Sequence, residues 1–239
     1  YAEQASNPKH TISAYLDVGF LRQMQGRLEE SKDFQQKALQ LARHTGLKRL
    51  EAIALGNLGI AVGFDNLEQA ANYIQQSLQA HEAINDLPGM AVGYHNLAIC
   101  SRAMGDRTLQ EKCLTRCMAI RKEMNDEFGI ALLEYEMGAA AYEWENYSEA
   151  EQHYQSAFAY YKKEGNVAKQ ALGLCRTGHT IRARGDRQRA RNYYRQAAEL
   201  TLEIDSSDLL VEITTGVVGL ETDAIVATEW LGAIHHQLE

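Results

Sequence analysis

The chain has 239 residues, with 24 Lys and Arg against 32 Asp and Glu and a formal net charge of −8. Its 45% hydrophobic and 23% charged residues exclude a disordered or collagen-like polymer. The acidic balance disfavours nucleic acid as a direct partner, because phosphate binding needs dense positive charge. Two prolines in the whole chain lean toward long helices, whose interiors proline breaks. No apolar run approaches the ~18 residues that span a bilayer, so no membrane segment is expected. The opening Tyr1-Ala2-Glu3-Gln4 is neither basic nor apolar and does not read as a secretion signal. The missing initiator Met and the helix-like final residues predict a piece of a longer protein. Cys100, Cys113, Cys117 and Cys175 do not make a disulfide framework in a chain this long; buried free thiols in a reducing, cytoplasmic setting are expected.

Taken in chain order, the predicted elements repeat. A small residue closes an apolar helical segment at Gly19, Gly59, Ala98, Gly138 and Gly178, spaced 40, 39, 40 and 40. A turn residue follows at Gly26, Asp65, Gly105, Glu145 and Gly185. Twelve positions further on stands another small residue: Ala38, Ser77, Cys117, Ala157 and Ala197. Polar breaks at Asn85-Asp86, Asn125-Asp126, Gly165-Asn166 and Asp205 close the units. Inside them, apolar residues recur every three or four positions, as at Leu55, Leu58 and Val62 or Phe34, Ala38 and Leu41, which puts them on one helix face. Ser148 with Glu151 and Thr108 with Glu111 have the spacing of capping boxes. Each unit is therefore predicted to be two antiparallel helices joined by a short turn. Keeping Gly in the interior of a helix costs about 1 kcal/mol against Ala, which implies that a neighbouring helix fills the space. Pairs that cannot bury their apolar faces alone must stack, which gives an all-α solenoid.

The helix pairs with Asn57-Leu58-Gly59 and His95-Asn96-Leu97-Ala98 in the first helix, and Ala70, Ala150 or Ala190 early in the second, resemble tetratricopeptide repeats. The resemblance covers residues 10–205 and implies a right-handed α-solenoid of antiparallel helix pairs, about five to six repeats. The expected boundaries are 10–46, 47–86, 87–126, 127–166 and 167–205, with a degenerate or capping sixth unit at 206–239, all in a single domain. The long unit is similar to those of kinesin light chains and of the repeat arms of bacterial signalling ATPases of the STAND type and transcription activators. Ser31 and Gln110 depart from the early Ala of the second helix, and Arg22 stands where an aromatic is usual. The stretch Asp223–Ala233 resembles the closing helix of such arms, and equally reads as a helix whose Trp230 and Leu231 cover the end of the core.

Little in the sequence points to catalysis. Gly56, Gly59 and Gly63 lie along a helix with no preceding strand and are not a phosphate-binding loop. Cys113 and Cys117 share a helix face, but no second ligand pair has suitable spacing, and His235-His236 reads as a solvated helix end. No metal, no cofactor and no enzymatic activity are expected. Arg182, Arg184, Arg187, Arg189, Arg191 and Arg195 follow one repeat after Glu143, Glu145, Glu149 and Glu151. Two readings stand: pairing between repeats, Glu149 beside Arg189 and Glu151 beside Arg191, or an anion site using Arg182 and Arg187 with Tyr193 or Tyr194.

In tetratricopeptide arrays the first helix of each pair lines a concave surface that holds partners. The resemblance carries that surface onto Phe20 and Gln23, Ile60 and Phe64, His95, Ile99 and Arg102, Tyr135 and Tyr142, and His179 and Arg182, with Leu16, Gly56, Ala139 and Cys175 beside them. The Lys/Asn set that clamps a peptide carboxylate in chaperone adaptors is missing. The implied function is a module that binds a protein, a peptide or a small effector, as the sensor or regulatory arm of a larger signalling protein. A passive scaffold adaptor, and more distantly a helical-repeat enzyme, are the alternatives.

Overall fold

Eleven α-helices and no strand follow one another among residues 7–202, 204 and 207–218, which the computed structural model describes. The chain divides into two compact units. The first, Tyr1–Asn125, holds α1 (Pro8–Met24), α2 (Leu28–Thr45), α3 (Lys48–Val62), α4 (Leu67–Ala83), α5 (Leu87–Ala103) and α6 (Arg107–Glu123). The second, Asp126–Glu239, holds α7 (Glu127–Glu143), α8 (Tyr147–Lys163), α9 (Val167–Ala183), α10 (Arg187–Leu202) and α11 (Ser207–Val218). Asp205, the Asp223–Ala233 segment with Trp230 and Leu231, and His235-His236 lie outside the described residues.

Several helices begin where an Asn or Asp satisfies a free N–H, whereas α2 and α3 start after Arg27 and Leu47 without a side-chain cap. Asn66 accepts from Gln69 N at 2.9 Å, Asp106 from Leu109 N at 3.0 Å, Asp126 from Gly129 N at 2.8 Å and Asn166 from Lys169 N at 3.1 Å. The capping boxes expected at Thr108 and Ser148 are not formed. Helices α6 and α8 start two residues earlier, after Asp106 and Asn146, so both hydroxyl residues already lie inside the first turn. The turn column largely behaves as its composition demands. Gly26, Gly105 and Gly185 take φ of 72°, 75° and 88°, and Glu145 is forced to 60°, whereas Asp65 does not enter that region.

Within each unit, helices pack in antiparallel pairs, and each pair stacks on the next through its second helix, α2 on α3, α4 on α5 and α8 on α9. The small columns lie at these crossings. Ala38, Ser77, Cys117, Ala157 and Ala197 are all buried, and Ser77 and Cys117 turn their side chains onto the carbonyls of Ala52 and Ala91, at 2.7 and 3.2 Å. Gly59 admits Ile74, whose Cγ1 would stand 2.6 Å from an added Cβ, while Gly138 and Gly178 admit the rings of Tyr154 and Tyr194. Ser31 and Gln110, the departures from the early Ala, are buried with Ala70, Ala150 and Ala190, and the Ser31 hydroxyl has no hydrogen-bond partner. All four cysteines are free and buried. No helix among the described residues is long and apolar enough to cross a membrane.

Candidate functional site

In the first unit Gly59 and the C-cap Gly63 thin the end of α3 where α4 and α5 meet it, and a cavity of about 250 Å³ opens there. Ile60, Phe64 and Ile99 line it with Ile74 and Leu67, so the lining is almost wholly apolar. Phe64 and Ile99 remain 68% and 44% exposed, a large apolar surface for residues that a core would have covered. A second cavity of about 260 Å³ lies on the other side of Ile60, between Asn57, Ser77, His81 and Gly89. There His81 is buried with Nδ1 2.9 Å from an oxygen of Asp86, which Arg49 also engages at 3.0 Å. Burial holds the His81 imidazole below its ordinary pKa despite the pull of Asp86. Phe20 and Arg102 are exposed and Gln23 and His95 half-buried, and none of the four lines either cavity.

The second unit presents different chemistry. Tyr142, Tyr154, Arg176, His179 and Arg182 enclose about 240 Å³. Helix α9 supplies Arg176, His179 and Arg182 from successive turns of one face. The Tyr154 ring comes from α8 through the gap over Gly138, and meets Tyr135 edge-on at 5.4 Å. Arg176 Nε donates to the Tyr135 hydroxyl at 3.0 Å and its Nη2 lies 3.1 Å from Glu212 Oε1. Arg182 Nη1 reaches the Gly216 carbonyl at 3.4 Å. Tyr194, clasped between Gly178 and Gly216, places its hydroxyl 2.8 Å from His179 Nδ1. Burial pushes the Tyr135, Tyr154 and Tyr194 phenols up, so all three keep their protons as donors. Two guanidiniums, an imidazole and phenol hydroxyls form a lining rich in donors, suited to a negatively charged or carbonyl-rich group.

Four of the residues expected on the hollow side of this unit, Tyr135, Tyr142, His179 and Arg182, thus come together. Sequence reasoning missed Tyr154, Arg176 and Glu212. Tyr154 belongs to a second helix, and Glu212 to the degenerate sixth unit, where the repeat register fades. The arginine stretch divides. Arg184 and Arg189 both bind Glu151, at 2.6 Å each, so pairing between repeats is realised with a register shifted from Glu149–Arg189 and Glu151–Arg191. Arg182 turns to the cavity instead.

The family profile described as tetratricopeptide repeat matches residues 10–83. No curated protein sequence matches the chain. Among solved structures, a STAND protein with a tetratricopeptide repeat sensor from Pyrococcus horikoshii is similar with TM-score 0.78 at 13% identity, over 99% of this chain and 37% of that one. A Rap protein complexed with competence and sporulation factor is similar with TM-score 0.72 at 16% identity, over 99% of this chain and 67% of that one. The nearly identical repeats of a putative kinesin light chain from Podosopora anserina give TM-score 0.71 at 14% identity, over 84% and 98%. Together with the observed helix pairs, these findings define the fold as that of a tetratricopeptide-repeat protein. Its period is the long one of about 40 residues.

Proposed function

We propose that the chain is a recognition module which holds a protein or peptide segment against its first helices and acts as the sensor or regulatory arm of a larger signalling protein. The observation that carries the reading is where the expected concave-surface positions fall, on first helices except for Phe64, which sits in the turn just past α3. Ile60, Phe64 and Ile99 line an apolar cavity in one unit, and Tyr142, His179 and Arg182 a donor-rich one in the other. Aromatic and Arg side chains at such sites bury much area while still donating hydrogen bonds, as binding hot spots do. The Rap protein of the comparison is bound to a peptide factor and the STAND repeats are described as a sensor, which supports the same kind of use here. Within each unit consecutive repeats pack on one another, so a ligand held by neighbouring repeats shifts their packing and transmits binding to an attached domain.

Selection from a random peptide display against the full chain tests this. Selected peptides are expected to lose about tenfold or more in affinity for Tyr142→Ala/Arg182→Ala or for Phe64→Ser/Ile99→Ser, the cost of one hot-spot side chain. Helicity and melting of both variants should stay unchanged. Affinity unaltered in both variants rejects the assignment.

A further inference from the structure

Beside the donor-rich cavity, three groups that ligate metals converge from two helices. Cys175 and His179 stand four residues apart on one face of α9, and Glu212 comes from α11. Their ligand atoms all lie within 4.8 Å of one another. Cys175 Sγ is 3.5 Å from His179 Nε2, and that nitrogen is 3.6 Å from Glu212 Oε1. A tetrahedral zinc ion, with bonds of about 2.3 Å to sulfur and 2.0–2.2 Å to nitrogen and oxygen, holds its ligand atoms roughly 3.3–3.6 Å apart. The two separations fall at that spacing, and the third, from the sulfur to the carboxylate, is within 4.8 Å.

The surroundings fit the same assignment. Glu212 Oε1 is buried and has no hydrogen-bond partner; Arg176 stands at 3.1 Å without the alignment of a hydrogen bond. The Arg176 guanidinium already balances that carboxylate's charge, and a bound ion would supply the directed contact that Oε1 does not make. His179 is oriented from behind by the Tyr194 hydroxyl on Nδ1, the outer contact that fixes a ligating imidazole with Nε2 facing the ion. Tyr194 itself is packed closely against Gly178 and Gly216, where an added Cβ would stand 2.8 and 2.6 Å from its ring. We propose that Cys175, His179 and Glu212 form a site for a zinc-type divalent cation. Thiolate, imidazole and carboxylate together select zinc over magnesium or calcium, and three protein ligands leave a fourth position for water or a donor from a bound partner. The sequence alone did not suggest it, because Glu212 is brought in by a helix outside the five regular repeats.

The test uses the full chain without a histidine tag, reduced and stripped with chelator, and titrated with Zn²⁺ by calorimetry and with Co²⁺ by absorption. The expected result is one ion per chain, with the thiolate-to-cobalt charge-transfer band. Cys175→Ser should erase the band, and Cys113→Ser/Cys117→Ser should leave it intact. Tyr194→Phe, which keeps the ring, should weaken affinity by roughly 10–100-fold, and His179→Ala by more. The wild-type chain taking up no ion overturns the proposal, whatever the variants do. So does uptake that survives Cys175→Ser and His179→Ala but disappears in His235→Ala/His236→Ala. The readout is metal stoichiometry on the chain alone, so its outcome is independent of peptide binding.

Discussion

The two units place different side chains in one slot of the repeat, and the chemistry of their cavities follows from that. The small column of the first helices faces a second column on the second helices: Gln35, Ile74, Leu114, Tyr154 and Tyr194, spaced 39, 40, 40 and 40. In the first unit Ile74 fills the gap over Gly59 and ends in a methyl group, so the cavity beside it is apolar. In the second unit Tyr154 and Tyr194 fill the gaps over Gly138 and Gly178. A phenol ring is longer than an isoleucine and ends in a hydroxyl, which carries a donor through the helix pair to Arg176, His179 and Arg182. Tyr154 lines the polar cavity directly, and Tyr194 reaches it through His179. One backbone thus offers two kinds of surface by changing a side chain that lies in the core.

The comparison predicts, first, that the tyrosine slots carry more stability than the isoleucine slot. Tyr194→Ala should cost about 4 kcal/mol in urea unfolding, against about 3 kcal/mol for Ile74→Ala. Tyr194 is fully buried and belongs to one core cluster with Ala171, Cys175, Ile181 and Ile213, so its loss empties a larger volume than that of Ile74. A smaller cost for Tyr194→Ala than for Ile74→Ala would sink the comparison. A finer cut uses two glycines on α9. At Gly178 an added Cβ stands 2.8 Å from Tyr194 Cε1, and the ring is blocked on its other side by Gly216. At Gly173 the nearest atom is Phe158 Cβ at 3.6 Å, an ordinary contact. Gly173→Ala should therefore raise stability by up to about 1 kcal/mol through helix propensity. Gly178→Ala gains the same propensity but overpacks, for a net loss of roughly 1 kcal/mol. Equal shifts in the two melting curves would show that the ring does not define the slot.

Much of the fold was legible because it is periodic. One noisy column in a single helix says little, but the same small residue returning five times singles out a crossing, and all ten members of the two small columns are buried. Boundaries were read less well. Thr108 and Ser148 drew the helix starts inward, since a hydroxyl three residues before Glu looks like a cap. The Asp or Asn two residues earlier binds the free N–H groups first at Asp106. The site was legible by half. Positions on the first helices follow from register, so Tyr142, His179 and Arg182 were within reach, as were Ile60, Phe64 and Ile99. Tyr154 and Tyr194 were not, because a buried aromatic on a second helix reads as core. The signal existed all the same: tyrosines stand sixteen residues after Gly138 and Gly178, where Ile74 is fifteen after Gly59. Glu212 carried no such mark, as no period extends to it.

The smallest expected effect has opposite signs in the two units. In the second, His153 bonds Glu134 at 2.6 Å, with Glu149 at 3.7 Å, and that contact raises its pKa above the ordinary imidazole value against the opposing effect of burial. The folded state then binds the proton more tightly than the unfolded chain. The resulting stability is complete below about pH 6.5 and is lost as pH rises through the higher folded value. In the first unit, burial lowers His81 more than Asp86 raises it, so folding disfavours the charged ring. Stability there is undiminished above about pH 6.5 and declines as pH falls toward the lower folded value. Unfolding free energies of the wild-type chain, His81→Gln and His153→Gln, taken between about pH 5 and pH 8, separate the two contributions. The wild-type advantage over His153→Gln should shrink as pH rises, and that over His81→Gln should grow. Both advantages shrinking as pH rises would mean that the carboxylate beside each ring governs both histidines, and both growing would mean that burial does.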